Sequence, residues 1–393
     1  MLSSNNTDGL NLEKLFFPRS IGIIGASHNP SGGGFFVRCL KNRYRGPIYL
    51  FNPRLSGKQL YGYEIKSSIL EISDFIAYRI LAVPARLCPK ILEEIGQKEV
   101  PFVTIFASGF REVGNEDLEK ELLHIAKNYN IRIIGPNCIG VYNPKGSLYF
   151  AFEQSRKSGN FGGIFQSGGI AQNLAQLGVS YGLYISKFIS IGNALDLSPV
   201  EFLEYFLHDD QTKIIGLYIE NLRSIEQGRN FMKIVQNCNL NRKPVILWRV
   251  GYGEATKKAI ISHTGGLAGN NAIWKAVGKQ TGCCIVNNSN ELAERFGGFQ
   301  EILEEMGFKD TDLNKEFIRY ISKAKSVCTK PMFCVMLKIN EGFEEYKSRY
   351  KFKLKLLNRK IPIYENLNLT AQVLDKLNTY REFLQKHGKY PNN

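Results

Sequence analysis

Of the five histidines, His263 stands apart, in the run Ser262-His263-Thr264-Gly265-Gly266-Leu267-Ala268-Gly269. Small residues on both sides leave the ring uncrowded. A nucleophilic imidazole needs that freedom, together with a partner holding its other nitrogen. Glu220 ends the apolar run Ile214–Glu220 and is the candidate carboxylate. By spacing alone, a plain loop histidine fits equally well. A second signal is Phe161–Gln166 followed by Ser167-Gly168-Gly169, which reads as strand, small-residue turn and helix. Open amides at such a helix start favour an anion by roughly 0.3–1 kcal/mol at an exposed site. Simple capping by Ser167 fits this motif as well.

The third signal lies near the amino terminus. The run Ile21–Ala26 enters the turn Gly25-Ala26-Ser27, and Ser31-Gly32-Gly33-Gly34 opens a helix. Glycines there let backbone approach a phosphate closely. The spacing is not G-x-G-x-x-G, and no acid ends the second strand, so an NAD-dependent dehydrogenase is a poor fit. That strand ends Phe51-Asn52-Pro53-Arg54, with Lys58 close behind, which suits a phosphate better than a ribose. A tight turn without a ligand is the plainer alternative. Further turns follow later strands: Ala82-Val83-Pro84-Ala85, Ala107-Ser108-Gly109-Phe110 and Gly135-Pro136-Asn137-Cys138. Ligands of open α/β sheets bind at the carboxyl ends of strands, so these loops should share one crevice. Asn137 can hydrogen-bond a ligand amide. Cys138, alone in an apolar turn with no histidine nearby in sequence, reads as a packing residue rather than a nucleophile.

The elements that must position these residues alternate as strands and helices, the pattern of parallel sheets with crossover helices. First-block strands fit Ile21–Ala26, Ile48–Asn52, Tyr78–Val83, Phe102–Ala107 and Ile131–Gly135, with helices at Phe35–Arg43 and Glu116–Tyr129. The block closes near Asn143–Gly146. A second begins after Glu153–Asn160, with strands Phe161–Gln166, Ile185–Ile191, Lys213–Glu220, Pro244–Val250 and Cys283–Val286. Its helices fit Gly169–Tyr181, Pro199–Leu207, Ile225–Asn237 and Asn270–Gln280. Beyond about Gly307, glycine thins and lysine and glutamate increase. Strands fit Met332–Leu337 and Ile361–Tyr364, and a helix fits Thr370–His387. Lys351–Leu357 alternates like a strand but follows a glutamate-rich, helix-like run, and pattern leaves both open.

The 393 residues, 44% of them hydrophobic, suffice for two or three domains. No apolar run is long enough for a membrane span, and the polar start lacks a signal-peptide pattern, so the expected location is the cytoplasm. Eight cysteines without a C-x-x-C pair suggest reduced thiols and no metal site. The net charge of +15 is spread along the chain, which argues against nucleic acid and fits an anionic ligand.

Taken together, the motifs resemble the α subunit of ADP-forming acetyl-CoA synthetases and, more distantly, that of succinyl-CoA synthetase. The resemblance rests on the turns quoted above, on Ile139-Gly140-Val141, on Gly192-Asn193 with Asp196, on Tyr218-Ile219-Glu220 and on Ser262-His263-Thr264-Gly265. They occur in the family's order across roughly residues 10–300. It implies an α/β architecture: a CoA-binding Rossmann-like domain at 10–146, a flavodoxin-like succinyl-CoA-synthetase-type domain at 155–303, and a truncated third α/β domain at 308–390. It implies an acid–thiol ligase that works through an acyl phosphate and a phosphohistidine at His263, oriented by Glu220. Gln166, Ser167, Gly168 and Gly169 match the phosphate site. Gly25, Ala26, Ser27, Asn52, Pro53, Val83, Pro84, Ser108, Gly109, Asn137 and Cys138 match the coenzyme A site. Coenzyme A or acyl-CoA and phosphate are the implied ligands. ADP or ATP with Mg2+ would sit on a separate ATP-grasp β subunit, making a hetero-oligomer.

Some residues depart from the family pattern. Gly251-Tyr252-Gly253 lacks the usual basic side chain, Arg249 replaces a lysine, Asn271 replaces an aspartate and Phe165 replaces a serine. The last block resembles only the carboxyl-terminal part of the family's third domain, from about Pro331 to Leu384. The expectation is that this chain alone does not complete the reaction. The alternative is a catalytically degenerate CoA or acyl-CoA sensor.

Overall fold

The computed structural model describes residues 10–29, 32–151, 154–180, 183–249, 271–287, 292, 325–326, 332–335, 350, 353–364 and 367–389. A short helix α1 (Glu13–Phe16) leads into β1 (Ile21–Ile24), α2 (Gly33–Leu40) and β2 (Ile48–Phe51). The hairpin β3 (Gln59–Leu60) and β4 (Tyr63–Lys66) follows, then β5 (Tyr78–Leu81), α3 (Cys88–Gly96), β6 (Phe102–Ile105), α4 (Glu116–Asn128) and β7 (Arg132–Ile134). These strands form one sheet in the order β3-β4-β2-β1-β5-β6-β7. All its pairs are parallel except β3 with β4. Helices cover both faces, so β1, β5 and β6 are buried throughout and read as unbroken apolar runs. β1 lies between β2 and β5, with Ile21 opposite both Ile48 and Tyr78. The strand order therefore reverses at β1.

The chain enters a second sheet at β8 (Gly140–Tyr142), which pairs antiparallel with β10 and forms an edge. It continues through β9 (Phe161–Phe165), α5 (Gly168–Ser180), β10 (Ile185–Ser190), α6 (Pro199–His208), β11 (Ile214–Ile219) and α7 (Ile225–Leu240). Then come β12 (Val245–Arg249), α8 (Asn271–Thr281) and β13 (Cys284–Val286). The order is β13-β12-β11-β9-β10-β8, a flavodoxin-like arrangement with its reversal at β9. Local signals mark the helix starts. Ser198 caps α6 in a capping box with Glu201 and with Pro199 in the first turn, and Ser224 caps α7.

The two blocks share a core. Phe16 of α1 stacks on Tyr205 of α6 at 4.9 Å between ring centroids and packs against Phe202 and Phe206. Asn143 donates to the Phe16 carbonyl at 2.8 Å. The chain passes from the first sheet to the second between Ile134, the end of β7, and Gly140, the start of β8.

Toward the carboxyl end, β14 (Cys334–Val335) pairs parallel with β15 (Ile363–Tyr364), and α9 (Leu367–Lys386) packs back on the second block. Tyr380 of α9 donates to the Asn239 carbonyl at 3.0 Å. Residues 353–357 are helical, which decides between the two readings of that stretch. Seven cysteines are described and none is paired. Burial raises the Cys39, Cys88 and Cys238 thiols to about 12, so these are packing residues. Among the described residues no helix is long and apolar enough to cross a membrane.

Candidate functional site

The turns after β1, β2, β5, β6 and β7 are knitted into one edge. The Gly25 amide donates to the Phe51 carbonyl at 2.8 Å, the Ala82 amide to Ile24 at 2.9 Å, and the Asn137 amide to Ala107 at 2.9 Å. Asn52 donates from Nδ2 to the Ala26 carbonyl at 2.9 Å and accepts the Arg54 amide at 3.0 Å. It thereby fixes the second turn to the first and starts a short 3-10 helix at Pro53. Gly25 has φ +87°, and a Cβ there would lie 2.3 Å from the Ala82 carbonyl oxygen. A Cβ on Gly33 would lie 2.4 Å from the Gly25 oxygen. Only glycines let the start of α2 close on this turn, beside the point where the strand order reverses. Ser27, Val83, Pro84, Ser108 and Gly109 line the same edge at least partly exposed. Cys138 is buried, its thiol pushed up to about 12 by burial and directed at the Ile134 and Ile105 carbonyls. That agrees with packing, not nucleophilic, duty.

The second cluster forms at the reversal of the second sheet. Gln166 leaves β9 with its amide donating to the Tyr218 carbonyl at 3.0 Å. Its side-chain oxygen accepts the amides of Glu220 and Asn221, the latter at 3.0 Å, and its Nε2 donates to the Asn221 carbonyl at 3.1 Å. One glutamine therefore sets the backbone that carries Glu220 directly beside the start of α5. The Tyr218 phenol is raised by burial, then by the Glu220 charge and a hydrogen bond with it. Ser167 accepts the Ile170 amide at 3.4 Å, as capping predicts. A Cβ on Gly169 would meet nothing within 4 Å, so open space adjoins the first turn of the 13-residue helix. Gly168 and Gly169 open this helix, where the first amides have no acceptor within the helix itself. His263, with residues 251–270 around it, lies outside the described residues.

A seam between the two clusters contains residues that sequence reading missed. The Gly109 and Phe110 amides donate to Glu112 Oε1 at 2.7 and 3.3 Å, and Asn193 Nδ2 donates to Glu112 Oε2 at 2.6 Å. Arg223 bonds the Asn193 carbonyl through Nε and Nη2, and Glu119 Oε2 through Nη2 at 2.9 Å. Asp196 takes a two-pronged bond from Arg132, at 2.9 Å on each arm, and the Ile133 amide at 2.8 Å. Asn193 and Asp196 therefore join the blocks, and Gly192 beside them packs against the Pro136 carbonyl, where a Cβ would lie 2.1 Å from the oxygen. The acid two residues past Phe110 was the available signal, and its long-range partners were not visible locally. Among the described residues no group of histidine, cysteine and acidic side chains could hold a metal.

A Rossmann-like block whose glycine turn sits at its strand reversal is joined here to a flavodoxin-order block with an open helix start. Comparison with known proteins sharpens this. Residues 19–144 match the CoA binding domain family, and residues 158–297 match the succinyl-CoA ligase like flavodoxin domain. An ADP-forming acetate–CoA ligase of Methanocaldococcus jannaschii is 37% identical over 284 residues, 72% of this chain and 39% of that protein. The α subunit of ADP-forming acetate–CoA ligase II of Pyrococcus furiosus is 36% identical over 295 residues, 74% of this chain and 63% of that one. The chain thus spans about two fifths to three fifths of these relatives' lengths. In fold, it matches a solved acetyl-coenzyme A synthetase from Ca. Korarchaeum cryptofilum, in complex with phosphate and ADP, with TM-score 0.80 and 23% identity. That match covers 96% of this chain and 99% of the other. The chain thus carries a CoA binding domain followed by a succinyl-CoA ligase like flavodoxin domain, and it is similar over these two domains to ADP-forming acetate–CoA ligases.

Proposed function

We propose that the chain is the CoA-binding, phosphoryl-carrying part of an ADP-forming acyl-CoA synthetase, acting on acetyl-CoA or a related small acyl-CoA. The observation that carries this reading is the placement of Glu220, through Gln166, beside the open start of α5.

Coenzyme A lies along the edge formed by Gly25, Ala26, Ser27, Asn52, Pro53, Val83, Pro84, Ser108, Gly109, Asn137 and the backbone at Cys138. Its phosphates meet the closely approached Gly25 turn, with Arg54 and Lys58 exposed nearby. Inorganic phosphate occupies the start of α5, held by the Gly168 and Gly169 amides with Gln166 and Ser167 at its rim. A phosphate oxygen attacks the thioester carbonyl carbon, the C–S bond breaks, and CoA leaves as thiolate. A ring nitrogen of His263 then attacks phosphorus. The P–O bond to the acyl group breaks, releasing the carboxylate and leaving a phosphohistidine. Glu220 accepts the N–H of the other ring nitrogen and stabilises the positive charge that the imidazole gains. The helix start stabilises the phosphoryl oxygens in both states.

Transfer from the P–N bond to a nucleoside diphosphate regenerates the histidine, and all steps reverse for synthesis. The nucleotide and its Mg2+ bind an ATP-grasp β subunit, so the working assembly is a hetero-oligomer. The relatives' names, which include an α subunit of an acetate–CoA ligase, support this division of labour.

A thiol assay tests the proposal. Acetyl-CoA, or another member of a small acyl-CoA panel, should release free CoA only when inorganic phosphate is added. Absence of phosphate-dependent thiol release across the panel, with an ATP-grasp β subunit supplied, would overturn it.

A further inference from the structure

The CoA edge belongs to one block and the phosphate cradle to the other, yet hydrogen bonds and one short stretch of backbone, Asn221 to Arg223, connect them. At the CoA edge, the turn after β6 is shaped from within. Glu112 Oε1 takes the Gly109 and Phe110 amides, and Asn115 Nδ2 donates to the Gly109 carbonyl at 2.8 Å. Gly109 sits at φ +111°, a conformation that other residues rarely hold. The turn therefore depends on that carboxylate for its form.

The second oxygen of Glu112 faces the other block. Asn193 Nδ2 donates to it at 2.6 Å and to Glu119 Oε1 at 3.2 Å, bridging two acids. The Asn193 carbonyl accepts Arg223 Nε at 3.2 Å and Nη2 at 3.0 Å, and Arg223 in turn pairs with the buried Glu119. Arg223 stands two residues beyond Asn221, whose amide and carbonyl are both held by Gln166 at the mouth of the cradle. Asn193 also bonds through its amide to the Pro136 carbonyl at 3.0 Å, next to Asn137 of the CoA edge. Glu112 remains ionised against its burial because Asn193 and the Gly109 and Phe110 amides together hold its carboxyl below the usual range.

We infer that Glu112, Asn193 and Arg223 are positioning residues that make the CoA turn and the phosphate cradle one cooperative unit, so that phosphate at the cradle tightens CoA binding and CoA tightens phosphate binding. None of the three needs to touch either ligand. Each ligand orders one side of the seam, and the relay transmits that order to the loop serving the other. Reciprocity follows from thermodynamic linkage: the factor by which one ligand improves the other must be the same in both directions. The inference rests on the proposed CoA and phosphate sites.

The test is calorimetric titration of the full chain with CoA, with and without saturating inorganic phosphate, on wild type, Asn193→Ala and the milder Asn193→Ser. Thermal melts confirm that each variant is folded. In the wild type phosphate should tighten CoA binding by about fivefold or more. In a folded Asn193 variant this factor should fall toward one, while CoA binding without phosphate changes much less. A merely structural role would weaken both titrations alike and leave their ratio unchanged. CoA binding that ignores phosphate in the wild type, or a ratio unaltered in the folded variants, would overturn the relay and leave the CoA site standing. No CoA binding by the wild type would overturn the proposed function itself, and the relay with it.

Discussion

Single side chains divide here between those that build the site and those that tax the fold. Gln166 belongs to the first kind: with three hydrogen bonds to neighbouring backbone it places Glu220 beside a helix start. Arg79 belongs to the second. It lies on β5 at 1% exposure, and its Nε and Nη1 atoms are buried without a hydrogen-bond partner among the described residues. Burial draws its guanidinium down to about 10. Desolvating such donors without partners costs about 1–3 kcal/mol. Arg79→Met, which keeps the long stem and removes the charge, should therefore raise unfolding free energy by roughly that amount in urea denaturation. An equal or lower midpoint would contradict this account of the residue.

At the scale of elements, the first glycine turn is the most demanding piece of geometry. Gly25 combines positive φ with a close approach to the Ala82 carbonyl, and α2 begins against it. Gly25→Ala should cost at least about 2 kcal/mol of stability, from the left-handed conformation and the displaced backbone together. It should also weaken CoA binding, because β1, β5 and α2 can no longer converge. Denaturation and titration on the same preparation check both. Wild-type CoA affinity in this variant would remove the turn from the site.

This turn was legible in sequence because glycine spacing after an apolar run has few structural causes. So were the buried strands β1, β5, β6, β9 and β11, whose apolar runs follow from sheets covered on both faces. The helix starts at Pro199 and Ile225 were legible as well, and the structure shows a capping serine before each, Ser198 and Ser224. The hairpin β3–β4 and helix α3 were not identified, the former because its two-residue strand carries almost no periodicity. β8 was hidden for another reason. Its pairing with β10 in the second sheet is a long-range choice that no local pattern encodes. The same holds for Glu112, Glu119 and Arg223, whose roles depend on partners 30 to 104 residues away.

At the largest scale, the described residues form two α/β blocks fused by a shared aromatic core and a polar seam. Phe16 against Tyr205 and Phe206 fixes one side of that union, and the Arg132–Asp196 bridge with the Glu112–Asn193–Arg223 set fixes the other. In the proposed function, such a union brings the coenzyme A ligand of the Rossmann-like block to the phosphate of the flavodoxin-like block. The central claim is that a phosphoryl group passes to His263. The most direct measurement incubates the purified chain with acyl-CoA and radiolabelled inorganic phosphate, then maps the label by peptide digestion. The account predicts an acid-labile, base-stable label on the His263 peptide, dependent on acyl-CoA and absent from His263→Ala. A wild-type chain that binds CoA yet takes up no label, alone or with an ATP-grasp β subunit, would contradict it.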